Sequence, residues 1–289
     1  YMSKVLITTI PFGAVNKTPY KLLGESNIDY LVNPLNKKLT EMELAELIAD
    51  YDVIIAGTEP ITKRVLARSK KLKLISRVGI GLDNVDLIEA QKMGIKVSYT
   101  PDAPSPAVAE LTIGMMISLL RSFHVSNSQM HKNIWYRYFG RRLSEVTVGI
   151  IGVGRIGERI LTCLEGFMPS RILLNDILIK HGISRKMPLE WVEKDVIYKE
   201  ADIISLHLPL TYQTKNMIQK EELLSMKKNA ALVNTSRGGI INENDLYDVL
   251  LSGHLTGVAI DVFDKEPYDG PLQNIDRCLL TAHMGSMSV

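Results

Sequence analysis

The chain has 289 residues, of which 46 % are hydrophobic and 23 % are charged. That length is enough for two domains of ordinary size, and the composition is typical of a soluble globular protein. A formal net charge of +2 is too small to indicate a nucleic-acid partner, and no run approaches the roughly 20 apolar residues of a membrane span. Two cysteines, Cys163 and Cys278, lie in apolar segments. We therefore expect a cytoplasmic protein with buried thiols and without a metal site or membrane partner.

Short apolar runs alternate with helical patterns from the start of the chain, which predicts βαβ units and a parallel sheet. The first strand pattern begins at once, so we expect no signal peptide. Between the strands, apolar residues three to four apart over 40–50 predict a helix. The strands predicted in this first block are 4–9, 28–32, 52–57, 72–77 and 95–99.

Three prolines within 99–110 interrupt both the strand and the helix patterns, so this segment is predicted to be a domain boundary. A broadly apolar helix is predicted over 110–123 and is expected to be buried between domains or subunits. A second block of strands then follows, with little alternation, as expected when helices cover both faces of a sheet. These strands are 146–151, 171–176, 201–208, 230–235, 257–263 and 278–282.

The segment VTVGIIGVGRIGERI carries Gly152, Gly154 and Gly157 in the G-x-G-x-x-G spacing, between a predicted strand and a predicted helix. Such a loop allows a dinucleotide pyrophosphate to approach the helix N-terminus. Asp176 ends the next strand, where a carboxylate binds the adenosine ribose and repels a 2′-phosphate. The pattern favours NAD over NADP; the alternative is a tight strand–helix turn with a surface Asp.

Three polar side chains follow the ends of later strands: Arg237, Glu266 and His283. Ligands of open α/β sheets bind at the carboxyl ends of strands, and His is the side chain that titrates near neutral pH. Each residue taken singly is more often a capped or solvated surface group. Their occurrence together predicts a proton-transfer site, with the carboxylate stabilising imidazolium and the Arg binding a substrate carboxylate. His207 is interpreted as a packed, hydrogen-bonded residue.

Seven segments together resemble the NAD-dependent D-isomer 2-hydroxyacid dehydrogenases, and most closely the phosphoglycerate dehydrogenase branch. The resemblance covers nearly the whole chain. The segments are RVGIGLDNVD (77–86), ELTIGMMISLLR (110–121), GVGRIG (152–157), HLPLTYQT (207–214), NTSRGGIINENDL (234–246), AIDVFDKEP (259–267) and TAHMGS (281–286).

The resemblance implies an α/β fold of two doubly wound parallel-sheet domains. A Rossmann NAD-binding domain, 102–282, would be inserted into a flavodoxin-like substrate domain made of 1–101 plus 283–289. The family is usually a homodimer, formed through the long helix and its surroundings. One departure is visible: only six residues follow His283, where the family normally continues with a helix that returns to the substrate domain.

The resemblance also assigns roles to individual residues. Arg237, Glu266 and His283 take the catalytic positions, Asp261 takes the nicotinamide-amide contact, and Arg77 aligns with a position that can meet a substrate phosphate. The substrate-binding set is Arg77, Val78, Gly79, Ile80, Gly81 and Arg237. The cofactor-binding set is Gly152, Gly154, Arg155, Ile156, Gly157, Asp176, Leu208, Pro209, Thr214, Thr235, Ser236, Arg237, Asp261, His283, Gly285 and Ser286.

The predicted function is NAD-dependent interconversion of a D-2-hydroxy acid and its 2-oxo acid, with His283 as the acid/base. The favoured substrate pair is 3-phosphoglycerate and 3-phosphohydroxypyruvate. Glyoxylate, hydroxypyruvate, another 2-oxo acid, phosphite or formate are alternatives on the same scaffold. A third hypothesis is an NAD(H)-sensing transcriptional corepressor, in which the fold serves binding rather than turnover.

Overall fold

The computed structural model describes residues 3–10, 12–180, 182–183 and 186–288. The chain forms two compact units that divide between Pro104 and Ser105, and the second unit extends to Ser288. The division lies slightly beyond the predicted boundary at 101/102. The segment 283–288 was predicted to belong to the first domain, but it packs with the second unit, where its backbone is hydrogen-bonded to Asp261. The predicted insertion of one domain into the other stays a prediction.

The first unit is a five-stranded parallel sheet with helices between the strands. The strands are β1 (Lys4–Ile7), β2 (Asp29–Val32), β3 (Val53–Ala56), β4 (Leu74–Arg77) and β5 (Lys96–Tyr99). The helices are α1 (Thr18–Glu25), α2 (Glu41–Leu47), α3 (Lys63–Arg68) and α4 (Leu87–Lys92), and a short 3-10 helix covers Ile48–Asp50. The order β2-β1-β3-β4-β5, with every pairing parallel, is the predicted flavodoxin-like arrangement.

Local sequence explains the helices of this unit. Thr40 caps α2 by accepting a hydrogen bond from the Glu43 N–H, and the Glu43 carboxylate accepts one from the Thr40 N–H. This reciprocal pair satisfies two N–H groups that a helix start leaves without partners. Leu6, Ile54 and Ile75 lie on one face of the sheet and are fully buried in a core shared with residues of α2, α3 and α4.

The second unit is a seven-stranded parallel sheet. Its strands are β6 (Thr147–Ile151), β7 (Arg171–Asn175), β8 (Leu189–Trp191), β9 (Ile203–Leu206), β10 (Ala231–Asn234), β11 (Gly257–Ile260) and β12 (Cys278–Leu280). Its helices are α5 (Ser105–Leu120), α6 (Phe123–His131), α7 (Arg155–Leu164), α8 (Lys194–Glu200), α9 (Lys220–Ser225) and α10 (Glu243–Leu251), with 3-10 helices at Leu143–Glu145 and Pro271–Asn274.

The strand order of this sheet is β12-β11-β10-β9-β6-β7-β8, and all pairings are parallel. The order reverses between β6 and β9, which is the Rossmann arrangement and confirms the predicted fold class. β9, β10 and β11 are buried along their whole length, because two hydrophobic cores cover the two faces. β8 was not predicted; it has three half-buried residues and no apolar run.

The long apolar helix differs from its prediction at both ends. α5 begins at Ser105, inside the predicted linker, because Pro106 lies in the first turn, where its missing N–H costs nothing. α5 ends at Leu120, and Ser122 adopts a left-handed backbone, with φ of 52°, before α6 starts. Among the described residues, no single helix is long and apolar enough to span a membrane. Only α5 and α6 taken together have that length and apolar character, and they are separated by a bend of 68°.

Candidate functional site

The glycine loop connects β6 to α7 at the carboxyl edge of the second sheet. Gly152 has φ of 98°, and a Cβ there would lie 2.3 Å from the His207 carbonyl oxygen. A Cβ at Gly157 would lie 2.2 Å from the Gly152 carbonyl oxygen. Both positions therefore require glycine. Gly154 caps α7 and faces open space, so a ligand phosphate could approach the helix N-terminus there.

Asp176 closes this loop from the end of β7. One carboxylate oxygen accepts the Val153 N–H at 2.6 Å, and the other accepts the Leu178 N–H at 3.1 Å. Ile177 beside it is 95 % exposed. A carboxylate has about four acceptor positions, so Asp176 retains capacity for ribose hydroxyls. The glycine loop, the open helix N-terminus and this acid fit a dinucleotide.

Two further residues of the predicted cofactor set begin α7. Arg155 is the exposed first residue of the helix, and its neighbour Ile156 packs against the core.

The loop after β9 contains His207 and three predicted cofactor residues. His207 Nε2 is 2.7 Å from the Ser205 hydroxyl, and its Nδ1 is buried without a partner among the described residues. Burial lowers the pKa of His207 to about 3, so the ring is neutral at physiological pH. Leu208 packs against the core, and the Thr214 hydroxyl donates to the Pro209 carbonyl at 2.6 Å, which closes the loop.

The loop after β10 presents Arg237 through a compact hydrogen-bonded turn. The Asn234 side chain accepts the Ser236 N–H at 3.1 Å and donates to the Arg237 carbonyl at 2.9 Å. A Cβ at Gly238 would lie 1.9 Å from the Phe263 carbonyl oxygen, so this turn lies directly against the loop that carries Glu266. The Thr235 hydroxyl is 2.8 Å from the Thr112 hydroxyl of α5. Thr112 was not singled out from the sequence, because it lies within an apolar helix.

Glu266 and His283 form a hydrogen-bonded pair. His283 Nδ1 lies 3.0 Å and 2.9 Å from the two Glu266 carboxylate oxygens, and both side chains are partly exposed. The carboxylate fixes the ring proton on Nδ1, which leaves Nε2 for a reacting group. Glu266 also accepts the Phe263 N–H at 3.2 Å, so its own loop orients it. The structure thus places the predicted catalytic residues Glu266 and His283 in direct contact.

Asp261 lies beneath this pair and is 1 % exposed. Its carboxylate accepts the Thr281 hydroxyl at 2.5 Å and the Met284 and Gly285 N–H groups at 2.9 Å each. Its carbonyl accepts the His283 N–H at 2.9 Å. In this structure Asp261 anchors the segment that carries His283, a role that the sequence did not indicate. Ser286 follows in an exposed turn, where its carbonyl accepts the Ser288 N–H.

Glu243, at the start of α10, is a second residue that the sequence did not single out. Its carboxylate accepts the Asp264 N–H at 2.8 Å and so holds the Glu266 loop from the other side. Burial and the negative charges of Asp264 and Glu266 raise the pKa of Glu243. Among the described residues, no group of three or more His, Cys, Asp or Glu side chains is arranged to hold a metal ion.

The predicted substrate loop lies at the carboxyl edge of the first unit's sheet, after β4. The Val78 N–H donates to the Ala56 carbonyl at 2.8 Å, and the Gly79 N–H donates to the Thr100 hydroxyl at 2.8 Å. Within the described residues, the amides of Ile80 and Gly81 are the two of this loop that make no internal hydrogen bond. Two of the four N–H groups predicted to bind substrate, those of Val78 and Gly79, therefore already donate to hydrogen bonds within the first unit.

Comparisons with known proteins agree with this geometry. Residues 113–285 match the family model for the D-isomer specific 2-hydroxyacid dehydrogenase, NAD binding domain. The chain is 39 % identical over 254 residues to a D-3-phosphoglycerate dehydrogenase of Methanocaldococcus jannaschii, covering 86 % of this chain and 48 % of that one. It is 34 % identical over 258 residues to a hydroxypyruvate reductase of Thermotoga maritima, covering 87 % and 83 % respectively. The resemblance to the phosphoglycerate dehydrogenase branch is thereby confirmed, although the chain spans only about half the length of such relatives.

A solved structure shows the same fold with the cofactor bound. The NAD-dependent formate dehydrogenase from Staphylococcus aureus, in complex with NAD, superposes with a TM-score of 0.85 at 28 % identity. The alignment covers 99 % of this chain and 90 % of that protein. The chain therefore belongs to the D-isomer specific 2-hydroxyacid dehydrogenase family, and its second unit contains the NAD-binding domain of that family.

Proposed function

We propose that this protein is an NAD-dependent oxidoreductase that interconverts a D-2-hydroxy acid and its 2-oxo acid. The observation that carries the proposal is the Glu266–His283 pair at the carboxyl edge of the NAD-binding sheet. Arg237 follows β10 on the same edge, two strands from β12, after which His283 lies. A titrating group oriented by a carboxylate, together with a guanidinium that can bind a carboxylate, suits acid–base chemistry on a 2-hydroxy acid.

The cofactor is held by the glycine loop and by the strand-end loops around it. The N–H groups at the start of α7 bind the pyrophosphate, and Asp176 binds the adenosine ribose. The remaining residues proposed to line the cofactor are Leu208, Pro209, Thr214, Thr235, Ser236, Gly285 and Ser286. When bound, the cofactor would supply a hydride acceptor as NAD for oxidation of the alcohol carbon and a hydride donor as NADH for reduction of the oxo carbon.

The protein's own side chains handle the proton and the substrate charge. In oxidation, His283 Nε2 takes the proton of the 2-hydroxyl group; in reduction, the imidazolium gives that proton to the 2-oxo oxygen. Glu266 holds the ring through Nδ1 and stabilises its charged form. Arg237 binds the substrate carboxylate and polarises the 2-oxo oxygen. In the first unit, the amides of Ile80 and Gly81, which make no hydrogen bond among the described residues, are donors available to a carboxylate.

Two substrate classes are compatible with the family. The identity to D-3-phosphoglycerate dehydrogenases supports 3-phosphoglycerate and 3-phosphohydroxypyruvate. The identity to a hydroxypyruvate reductase and to several glyoxylate reductases supports an acid without a phosphate. The proposed proton-transfer pair suits both classes, so the side chain of the substrate is what the experiment has to distinguish.

NADH consumption at 340 nm tests the proposal with a panel of 3-phosphohydroxypyruvate, hydroxypyruvate, glyoxylate, pyruvate and 2-oxoglutarate. We expect turnover with at least one acid and loss of that turnover when His283 is replaced. NADH binding without turnover of any acid would contradict a dehydrogenase and favour a binding role. Turnover that survives loss of His283 would retain the reaction class but exclude this proton-transfer site.

We also propose that the protein is a homodimer joined through α6 and the segment that follows it. Phe123, Met130, Trp135, Tyr136 and Phe139 are exposed there and form an apolar surface that is aromatic except for Met130. A groove of about 870 Å³ runs along the same surface. Contiguous exposed aromatic side chains are typical of protein interfaces, and a second copy of the chain is the partner that this family resemblance implies.

A further inference from the structure

Arg77, the last residue of β4, turns its guanidinium inward instead of presenting it at the surface. The residue is only 7 % exposed. Its Nε donates to the Asn84 side-chain oxygen at 3.3 Å, and its Nη1 donates to the Val78 carbonyl oxygen. Gly79 lies directly on this group: its φ is 141°, and a Cβ there would be 2.4 Å from Arg77 Nη1. The guanidinium therefore forms the floor of the loop that was predicted to bind substrate.

Asn84 links the Arg77 guanidinium to the loop that follows β3. Its side-chain amide donates to the Gly57 carbonyl at 3.1 Å and to the Glu59 carbonyl at 2.7 Å. Because the same side chain accepts from Arg77, it joins the loop after β4 to the loop after β3. An apolar or shorter side chain at position 84 would break all three bonds.

The strand-end loops beside Arg77 add only acidic side chains to its charge. The two central strand-end loops, 57–62 and 78–86, contain Glu59, Asp83 and Asp86 and no Lys or Arg. Glu59 is 2 % exposed, and its carboxylate accepts the Gly57 N–H at 2.9 Å and the Thr8 hydroxyl. Phosphate sites in proteins are built from cations and free N–H donors, and like charges nearby weaken anion binding. Val78, at the start of this loop, is exposed and apolar.

We propose that Arg77 is a positioning residue that supports the 78–81 loop through Val78 and Asn84, and that the substrate is a 2-oxo acid with an uncharged side chain. The inference rests on the proposed function, because the loop is the proposed carboxylate-binding element of a 2-hydroxyacid dehydrogenase. It differs from the role that the family resemblance implies for this position, which is contact with a substrate phosphate.

The test compares two acids that differ only in a phosphate, hydroxypyruvate and 3-phosphohydroxypyruvate. We expect the wild type to show a kcat/KM at least roughly tenfold higher for hydroxypyruvate. Arg77→Met should lower kcat/KM for both acids by a similar factor, because the loop that holds their common carboxylate is loosened. A wild type that prefers the phosphorylated acid would overturn the proposal. The proposal would also be overturned if Arg77→Met lowered kcat/KM for the phosphorylated acid alone by roughly 10- to 100-fold, which is the effect of removing charged hydrogen bonds.

Two further variants separate charge from positioning. Asn84→Ala leaves the guanidinium in place but removes its bridge, so it should reproduce the uniform loss of Arg77→Met. Arg77→Lys retains the charge but not the planar fork, so it should also behave like Arg77→Met. If Arg77→Lys instead kept near-wild-type kcat/KM for 3-phosphohydroxypyruvate alone, the residue would be acting as a phosphate ligand.

Hydrogen exchange gives a readout that does not depend on turnover. The amides of Val78 and Gly79 should exchange faster in Arg77→Met and Asn84→Ala, while thermal unfolding remains cooperative. Unchanged exchange in both variants would overturn the positioning role. If the wild type binds NADH but reduces no acid, the proposed function fails, and the exchange experiment still decides whether Arg77 supports the loop.

Discussion

His283 has φ of 50°, a left-handed backbone conformation that is unfavourable for a residue with a Cβ. The fold holds it there through Asp261, whose carbonyl accepts the His283 N–H and whose carboxylate accepts the next two N–H groups. The side chain is then fixed by Glu266. Asp261 thus restrains the backbone of His283, and Glu266 restrains its ring, so the two restraints can be tested by separate substitutions.

His283→Ala removes the proposed acid/base. Because general acid–base catalysis contributes roughly 10²- to 10⁴-fold, we expect kcat to fall by about that factor, while NADH binding followed by fluorescence is retained. His254→Ala is the matched control, since that ring bonds only the Met226 carbonyl at 2.8 Å among the contacts described. Near-normal kcat in the His283 variant would contradict its assignment.

Glu266→Gln keeps the shape of the side chain and removes its charge. The imidazolium form of His283 then loses the carboxylate that orients and stabilises it. We therefore expect kcat/KM for 2-oxo acid reduction to fall, while NADH binding followed by fluorescence is retained. Unchanged kcat/KM in this variant would count against the pair.

Asp176→Ser tests cofactor choice. The carboxylate accepts two loop N–H groups and is proposed to repel a 2′-phosphate, so its loss should lower the preference for NAD over NADP. The ratio of kcat/KM for the two cofactors measures this. An unchanged ratio would mean that another residue selects the cofactor.

At the scale of secondary-structure elements, the amino edge of the second sheet is held by Asp202, immediately before β9. Its buried carboxylate accepts Arg141 at 2.8 Å, Lys227 at 2.7 Å and the Thr147 N–H of β6 at 2.9 Å. Burial alone would raise its pKa, but these hydrogen bonds outweigh burial and lower the pKa to about 2. The carboxylate therefore links two adjacent strands and two loops.

Asp202→Asn should reduce the free energy of unfolding by roughly 2–3 kcal/mol at pH 7. The folded-state pKa lies below the ordinary value of 3.8, so this stabilisation is present above about pH 4 and is lost as the pH falls toward 2. Urea unfolding at pH 7 and pH 3 should show the difference from wild type shrinking at the lower pH. Asp248→Asn, in an exposed pair with Lys220 at 3.5 Å, should change stability little. Equal effects of both variants would refute this view of Asp202.

At the scale of the whole molecule, the exposed aromatic surface after α5 predicts self-association. Trp135→Glu combined with Phe139→Glu places charge where the proposed interface excludes water, so the double variant should be monomeric. Light scattering coupled to size exclusion measures the mass. Leu251→Glu, at the exposed end of α10, is the control and should leave a dimer. A monomeric wild type, or a double variant that still dimerises, would show that this surface is not the interface.

Much of this arrangement was predictable because it depends on local patterns. Strand–helix alternation indicated the two parallel sheets, and the glycine spacing indicated the β6–α7 loop. The rule that ligands bind at strand ends identified Arg237, Glu266 and His283. These signals arise within a few residues of each other, where apolar periodicity and backbone geometry directly constrain which side chains can occur.

The features that only the tertiary structure decided are contacts between segments far apart in the sequence. Asp261 receives hydrogen bonds from residues 20 to 24 positions later, and Thr112 meets Thr235 across 123 positions. The inward turn of Arg77 depends on Asn84 and on the packing of Gly79 above it. The sequence determined which groups lie at the strand ends, because local patterns set the strands. A charged group at a strand end is available to a ligand only if folding does not bring protein acceptors within about 3 Å of it. Those acceptors come from distant parts of the chain, so no local sequence pattern predicts them.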